Sequence, residues 1–188
     1  VGSSELRRSK RFAKQSNSNG INGQKAKRPK PINSLNDLSA KEWIPETVSV
    51  WTQRGLGKGH EHAQIEKLHP APFSYQDVAR LIKFFTKKGE TVLDPFVGVG
   101  STLKAAAIEG RNGIGIELNK KYAALARERI EKEVERSLRN AYRQKVVQGD
   151  ARKELSKIVP NSIKLVLTSP PYWNILQKKD HKAKQERV

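Results

Sequence analysis

The residues best suited to chemistry follow predicted β-strands, which is where parallel α/β sheets bind their ligands. After the first strand, Gly98 and Gly100 lead into a helix, and glycines there let a ligand approach the backbone and the helix N-terminus closely. After the second strand, Glu117 is placed to accept hydrogen bonds from ribose hydroxyls. After the third strand, Asp150 can accept a hydrogen bond from an adenine amino group. These positions together predict a site for a ligand that carries a ribose.

Each of these residues also has a purely structural explanation. The glycine segment can be an ordinary tight turn, and it is not a Walker phosphate loop, because no Gly-Lys-Ser/Thr follows it. Glu117 can stabilise the N-terminus of a helix that begins near Asn119, an effect of up to about 1 kcal/mol. Asp150 can cap the helix that follows it. The combination of the glycines with Glu117 favours the ribose site.

The segment after the fourth predicted strand, Thr168–Trp173, is the most distinctive in the chain. It reads Thr-Ser-Pro-Pro-Tyr-Trp, and two prolines make a stiff, extended turn that donates no backbone hydrogen bonds of its own. The carbonyls of Ser169 and Pro170 are therefore available as acceptors, with Tyr172 beside them. The alternative is a plain proline turn whose aromatic residues pack into the core.

An alternation of strands and helices is predicted to position these residues. The strands are expected at residues 91–93, 112–116, 145–147 and 163–167, and the helices at 101–109, 151–158 and from Asn119 through Leu138. The nearly continuous apolar run of the last strand suits a central place in a parallel sheet. An amphipathic helix is predicted after Ser74, with Asp77 completing a capping box and Gly89 ending the helix, and a short strand is predicted at 48–51. The pattern predicts an α/β fold with a mostly parallel sheet and right-handed crossovers.

The composition points to a nucleic-acid partner. The chain of 188 residues has a formal net charge of +18, for which phosphate contacts by Lys and Arg are the simplest reason, although a basic surface can also serve solubility alone. It contains no Cys, which excludes disulfides and Cys-based metal sites. His60 and His62 lack further ligands at the usual spacing, so we expect no metal. No apolar run approaches the ~20 residues that cross a bilayer and no signal peptide is visible, so we expect no membrane and a cytoplasmic protein.

Three regions are expected along the chain. Residues 1–40 form a basic arm that is too poor in large apolar side chains to fold alone, and that either contacts a DNA backbone or is a solvated tail. Residues 41–176 form the domain that carries the site, and residues 177–188 form a charged tail or the start of a missing segment. Because the chain begins with Val and contains no Met, we expect it to be processed or to be part of a longer protein.

Three segments together resemble the motifs of the DNA amino-methyltransferase family. Asp94–Thr102 resembles the cofactor motif, Thr168–Trp173 the catalytic motif, and His69–Phe73 the segment that covers the methionine end of the cofactor. The resemblance implies a Rossmann-like methyltransferase fold, S-adenosylmethionine as cofactor and DNA as substrate. The implied cofactor-binding residues are His69, Pro70, Phe73, Asp94, Pro95, Phe96, Gly98, Gly100, Ser101, Thr102, Glu117 and Asp150. The implied catalytic residues are Ser169, Pro170, Pro171 and Tyr172.

The resemblance also bears on which base is methylated. Cytosine-N4 enzymes of this family usually carry Ser at the head of the proline motif, as Ser169 does here, whereas adenine-N6 enzymes usually carry Asp. It therefore implies a site-specific cytosine-N4 methyltransferase of restriction-modification type, with adenine N6 as the alternative. A DNA-binding module with a vestigial cofactor fold and an RNA or protein methyltransferase are the other classes. Family members continue with more strands and a target-recognition region, so we expect a fold truncated after the fourth strand, completed by a longer chain or a second polypeptide, or a remnant.

Overall fold

A computed structural model describes residues 33–48, 50, 68 and 74–170 of the chain. The helices are α1 (Ala40–Trp43, continued by a 3₁₀ turn at Ile44–Thr47), α2 (Tyr75–Phe85), α3 (Ser101–Ile108), α4 (Lys120–Glu133), α5 (Arg136–Ala141) and α6 (Ala151–Glu154, continued by a 3₁₀ turn at Leu155–Lys157). The strands are β1 (Thr91–Asp94), β2 (Asn112–Glu117), β3 (Gln144–Gln148) and β4 (Leu165–Val166).

The four described strands form one sheet in the order β3-β2-β1-β4, and every pair is parallel. The predicted parallel α/β fold is thereby confirmed. The predicted central place of the fourth strand is wrong for the sheet as described, because β4 lies at its edge beside β1 and Val166 is 57% exposed. An apolar run predicts a buried strand, but the burial depends on neighbouring elements that the pattern does not identify.

Helices cover both faces of the sheet because successive strand residues point to opposite sides. On one face, Val92 packs against Val78 of α2 and Ala105 of α3. On the other face, the neighbouring Leu93 packs with Ala151 of α6. The strand ends that follow these buried residues are therefore held in place from both sides.

Strand β2 carries glycines where α3 and the loop before it approach the sheet. A Cβ on Gly113 would lie 2.6 Å from a methyl carbon of Leu103, and a Cβ on Gly115 would lie 2.7 Å from a methyl carbon of Val97. Real side chains do not come so close, so a side chain at Gly113 would displace the ends of its neighbours, and one at Gly115 would displace Val97 itself. The loop that contains Val97 consequently lies directly on β2.

The long helix predicted from Asn119 through Leu138 is two helices. Asn119 caps α4 as predicted, because its side chain accepts hydrogen bonds from the backbone N–H groups of Lys121 and Tyr122. The helix ends at Glu133, since Val134 is extended, with φ −110° and ψ 128°. Val134 is buried in the same apolar cluster as α3, and this packing outweighs the continuation of the helix.

The compact unit begins at Asn33, inside the range that we assigned to the basic arm. Asn36 is buried and its side-chain amide donates a hydrogen bond to the carbonyl of Phe84, while Asp37 pairs with the buried Arg111 at 3.5 Å. Asn36 and Asp37 therefore contact residues of the domain that carries the site. Single polar contacts of this kind leave no periodic signal in a sequence.

Helix α2 confirms the predicted amphipathic helix but not its caps. The side chain of Ser74 makes no capping hydrogen bond, its buried Oγ has no partner within the described part of the chain, and the capping box with Asp77 is not formed. The helix ends at Phe85, because Thr86 is extended. Gly89 lies in the turn that follows, with φ 80°.

Two further points concern the described ranges alone. Val48 and Val50 belong to no strand, so the strand predicted at 48–51 is absent from the described residues of that stretch. No helix within these ranges is long and apolar enough to cross a membrane.

Candidate functional site

The residues predicted to bind a ligand converge at one edge of the sheet. Asp94 and Glu117 are the last residues of β1 and β2, Asp150 follows β3, and Ser169 and Pro170 follow β4. Because all four strands are parallel, their carboxyl ends meet at this edge. Outside the described residues lie His69, Pro70, Phe73, Pro171 and Tyr172.

The loop between β1 and α3 is fixed to β2 by two backbone donors. The N–H of Val97 donates to the carbonyl of Ile116 at 2.9 Å, and the N–H of Gly98 donates to Oε2 of Glu117 at 2.9 Å. The position of the loop is thus set by the strand beside it.

The two glycines of this loop are required by its backbone conformation. Gly98 and Gly100 have φ values of 53° and 87°, in the left-handed region that favours glycine. A Cβ on Gly100 would also lie 3.2 Å from the Cα of Ala126 in α4. The absence of a side chain at Gly100 therefore allows α3 and α4 to approach closely, whether or not it also makes room for a ligand.

Glu117 contacts the start of a helix, as its sequence position allowed, and also contacts the glycine loop. Its Oε1 accepts from the N–H of Asn119 at 2.8 Å, at the start of α4, and its Oε2 accepts from Gly98 in the glycine loop. A carboxylate has about four lone-pair directions, so each oxygen can accept a further hydrogen bond from a ligand. The side chain is half-buried at the sheet edge.

Asp150 is held ionised at the end of β3. Its carboxylate accepts from the backbone N–H of Arg152 at 3.0 Å, which caps α6, and lies 2.6 Å from Nη2 of the same arginine. These contacts with Arg152 lower the pKa of Asp150 to about 2. A carboxylate in this state is an acceptor only, as hydrogen bonding to an amino group requires.

Several predicted cofactor-binding residues face the protein interior. Asp94, Ser101 and Thr102 are all buried, as is Pro95. The Oγ of Ser101 accepts from Nη1 of Arg129 at 2.9 Å. Phe96, in the same motif, is not buried: it is 43% exposed at the sheet edge.

The buried carboxylate of Asp94 connects three segments. Its Oδ2 accepts from Oγ1 of Thr102 at 2.5 Å, and its Oδ1 accepts from the N–H of Phe96 at 3.0 Å and from Oγ1 of Thr168 at 2.6 Å. Burial raises the pKa of Asp94, and the hydrogen bonds from Thr102 and Thr168 act in the opposite direction. The position of Thr168 in its motif does not predict this role, since the contact depends on the pairing of β1 with β4.

A buried charge cluster that the sequence analysis missed lies behind the glycine loop. Oε2 of Glu133 is 2.6 Å from Nζ of Lys104 and 3.1 Å from Nε of Arg129, and both cations are 0% exposed. Nζ of Lys104 also lies 4.1 Å from the ring centre of Tyr75, the first residue of α2. The cluster joins α2, α3 and α4. Charges within helices usually indicate a solvated face, which is why the pattern gave no signal.

Two more observations complete the site. Leu118, directly after Glu117, is 70% exposed and adds apolar surface at the sheet edge. Within the described ranges, no group of three or more His, Asp and Glu residues is placed to hold a metal ion. His60 and His62 lie outside those ranges.

Comparison with known proteins relates this arrangement to methyltransferases. A family model described as DNA methylase matches residues 7–128, more than half of the chain. The type II methyltransferase M.BglI of Bacillus subtilis is 41% identical over 96 residues, which are 51% of this chain and 26% of that protein. The type II methyltransferase M.MthZI of Methanothermobacter thermautotrophicus is 37% identical over 90 residues, 47% of this chain and 24% of that protein.

Among solved structures, a candidate DNA modification methylase of Thermus thermophilus in complex with S-adenosyl-L-methionine is 32% identical. The match has a TM-score of 0.37 and covers 53% of this chain and 45% of that chain. The chain spans about a quarter of the length of the two curated relatives.

Proposed function

The chain belongs to the DNA methylase family of amino-methyltransferases, whose cofactor is S-adenosylmethionine, and from this premise we propose that it carries the cofactor-binding and catalytic part of an enzyme that methylates an exocyclic amino group in DNA. The observation that carries the proposal is the convergence of the glycine loop, Glu117 and Ser169 at one edge of a parallel sheet. The basic residues ahead of Asn33 are proposed to contact the DNA backbone.

The side chains at this edge suit the chemistry of the cofactor. Glu117 can accept hydrogen bonds from the ribose hydroxyls, and the ionised Asp150 can accept one from the adenine amino group. The exposed Leu118 offers an apolar surface on which the adenine ring can pack. When bound, the cofactor supplies an electrophilic methyl group; the protein supplies position and charge.

Ser169 and Pro170 are assigned to the target base. An exocyclic amine is a weak nucleophile because its lone pair is delocalised into the ring, and the base must leave the duplex to reach the site. The Ser169 hydroxyl and the Pro170 carbonyl can accept the hydrogens of the amine, which favours a pyramidal nitrogen. Tyr172 is proposed to stack on the ring, and Pro171 to stiffen the turn. Catalysis then depends on positioning and oriented dipoles, and this chain has no Cys for the thiol attack that cytosine-C5 enzymes use.

The proposed target is cytosine N4, because Ser169 heads the proline motif, with adenine N6 as the alternative. Digestion of methylated DNA and mass spectrometry of the nucleosides separates N4-methylcytosine from N6-methyladenine. Finding only N6-methyladenine would overturn the cytosine assignment. A role in restriction-modification is supported by the type II methyltransferases among the relatives, which give no support for a second polypeptide.

Calorimetric titration of the full chain with S-adenosylmethionine tests the site. Glu117→Gln keeps the size of the side chain but removes its charge and one acceptor oxygen. A hydrogen bond to a charged group is worth about 1.5–3 kcal/mol, so we expect the affinity to fall about 10- to 100-fold.

Glu128→Gln is the matched control, because Glu128 lies on the exposed surface of α4 beside Lys132. It should leave the affinity unchanged. Equal affinities of the two variants, or no binding by the unmodified chain, would contradict the proposed site.

A further inference from the structure

We propose that Asp94 is a positioning residue that couples the glycine loop to the Ser169–Pro170 segment, and that it does not contact the cofactor. The inference rests on the proposed function and deepens it, since it changes the role of the first residue of the cofactor motif. It is carried by the burial of Asp94, which is 2% exposed, and by the partners of its two oxygens.

On the loop side, the carboxylate fixes both ends of the glycine loop. The N–H of Phe96 donates to Oδ1 of Asp94 near the start of the loop, and Oγ1 of Thr102 donates to Oδ2 in the first turn of α3. With these donors in place, Asp94 is almost fully buried. A ligand at that edge meets the exposed Phe96 instead of the Asp94 carboxylate.

On the other side, the same carboxylate holds the chain that enters the proline motif. Strand β4 is short, and the N–H of Leu167 donates to the carbonyl of Leu93 at 3.0 Å. One residue later, Oγ1 of Thr168 donates to Oδ1 of Asp94 at 2.6 Å. Within the described part of the chain, this is the contact that ties the residue next to Ser169 to β1.

Oδ1 of Asp94 therefore accepts from the loop and from the motif at once. A displacement of Thr168 changes the environment of the Phe96 N–H, and the reverse also holds. Methyl transfer requires donor and acceptor atoms to be aligned closely, and a misplacement of about 1 Å can cost about 100-fold in rate. A single buried carboxylate that fixes both partners meets this requirement.

Hydrogen exchange on the full chain without cofactor tests the coupling. Thr168→Val removes the hydroxyl and keeps the branched shape, and we expect the Phe96 amide to exchange up to about tenfold faster, as loss of one supporting hydrogen bond allows. Thr168→Ser should restore slow exchange. Thr91→Val is the control, because it removes a hydroxyl from the neighbouring strand β1 that makes no hydrogen bond among the described residues.

Titration with S-adenosylmethionine then separates a positioning role from direct contact. We expect Thr168→Val to keep its affinity within about threefold of the unmodified chain, in contrast to Glu117→Gln, because Thr168 acts on the buried Asp94 and not on the cofactor itself. Unchanged exchange at Phe96 in Thr168→Val, or no rescue by Thr168→Ser, would overturn the proposal. So would a loss of affinity in Thr168→Val as large as that in Glu117→Gln. If the unmodified chain fails to bind the cofactor, the proposed function fails, whereas the exchange measurement still decides the coupling.

Discussion

Replacing Glu133 by Ala tests the energetic role of the buried charge cluster. Oε2 of Glu133 lies 2.6 Å from Nζ of Lys104 and 3.1 Å from Nε of Arg129, and both cations are fully buried. Removing one partner of a buried ion pair costs about 3–5 kcal/mol, because the remaining charge stays out of water. Glu133 is also the last residue of α4, where a negative charge interacts unfavourably with the helix dipole. Its removal should therefore offset a few tenths of a kcal/mol of the loss in stability. We expect the free energy of unfolding to fall by about 3 kcal/mol or more.

Urea unfolding followed by circular dichroism measures this change. With a slope of about 2 kcal/mol per molar urea, the midpoint should fall by about 1.5 M or more. The control is Glu128→Ala, which breaks an exposed pair with Lys132 and should cost about 0.3–0.5 kcal/mol. Equal losses in the two variants would show that the Glu133 carboxylate is not what stabilises the buried cations, and would refute the reasoning.

Two further predictions concern single residues at the site. Gly100→Ala places a side chain on a residue with φ 87°, within 3.2 Å of the Ala126 backbone, and should destabilise the protein by at least about 1–2 kcal/mol. An unchanged Tm would contradict this. Arg152→Ala removes the partner that holds the pKa of Asp150 at about 2, so that pKa should rise toward its ordinary 3.8, as followed by NMR titration of the carboxyl group. Because that pKa is lowered in the folded protein, the stabilisation is present above about pH 4 and is lost as the pH falls toward 2, and the variant should lose less over that range. An unchanged titration would show that Arg152 does not set the pKa.

Local sequence signals predicted the elements that position the site. The apolar runs of β1 and β2 are bounded by turn residues, and the side-chain amide of Asn119 marks the start of α4, so these elements lie within a residue or two of their predicted places. The break at Val134 had no such signal, because Ile130, Val134 and Leu138 continue at helical spacing. At the break, the extended Val134 packs in the same apolar cluster as Leu103 and Ala107 of α3.

The site was predictable to the level of strand ends and no further. Parallel strands bring Glu117 and Asp150 to one edge, which follows from their positions after predicted strands. Whether a motif residue faces the ligand or the core depends on the tertiary contacts of its side chain. Asp94 was predicted to bind the cofactor and is buried against Thr168, because the pairing of β1 with β4 joins residues that are distant in sequence.

The attachment of the glycine loop to β2 has a consequence for the entropy of ligand binding. Ordering one backbone residue costs about 1–2 kcal/mol. Val97 and Gly98 are already hydrogen-bonded to β2, and Val97 occupies the space that Gly115 leaves open. The entropy cost of ordering the loop is therefore incurred when the protein folds and not when a ligand binds. A preorganised loop leaves more of each contact's free energy for affinity. A rigid loop also cannot move aside for a larger ligand, so it should favour one ligand over bulkier analogues of that ligand.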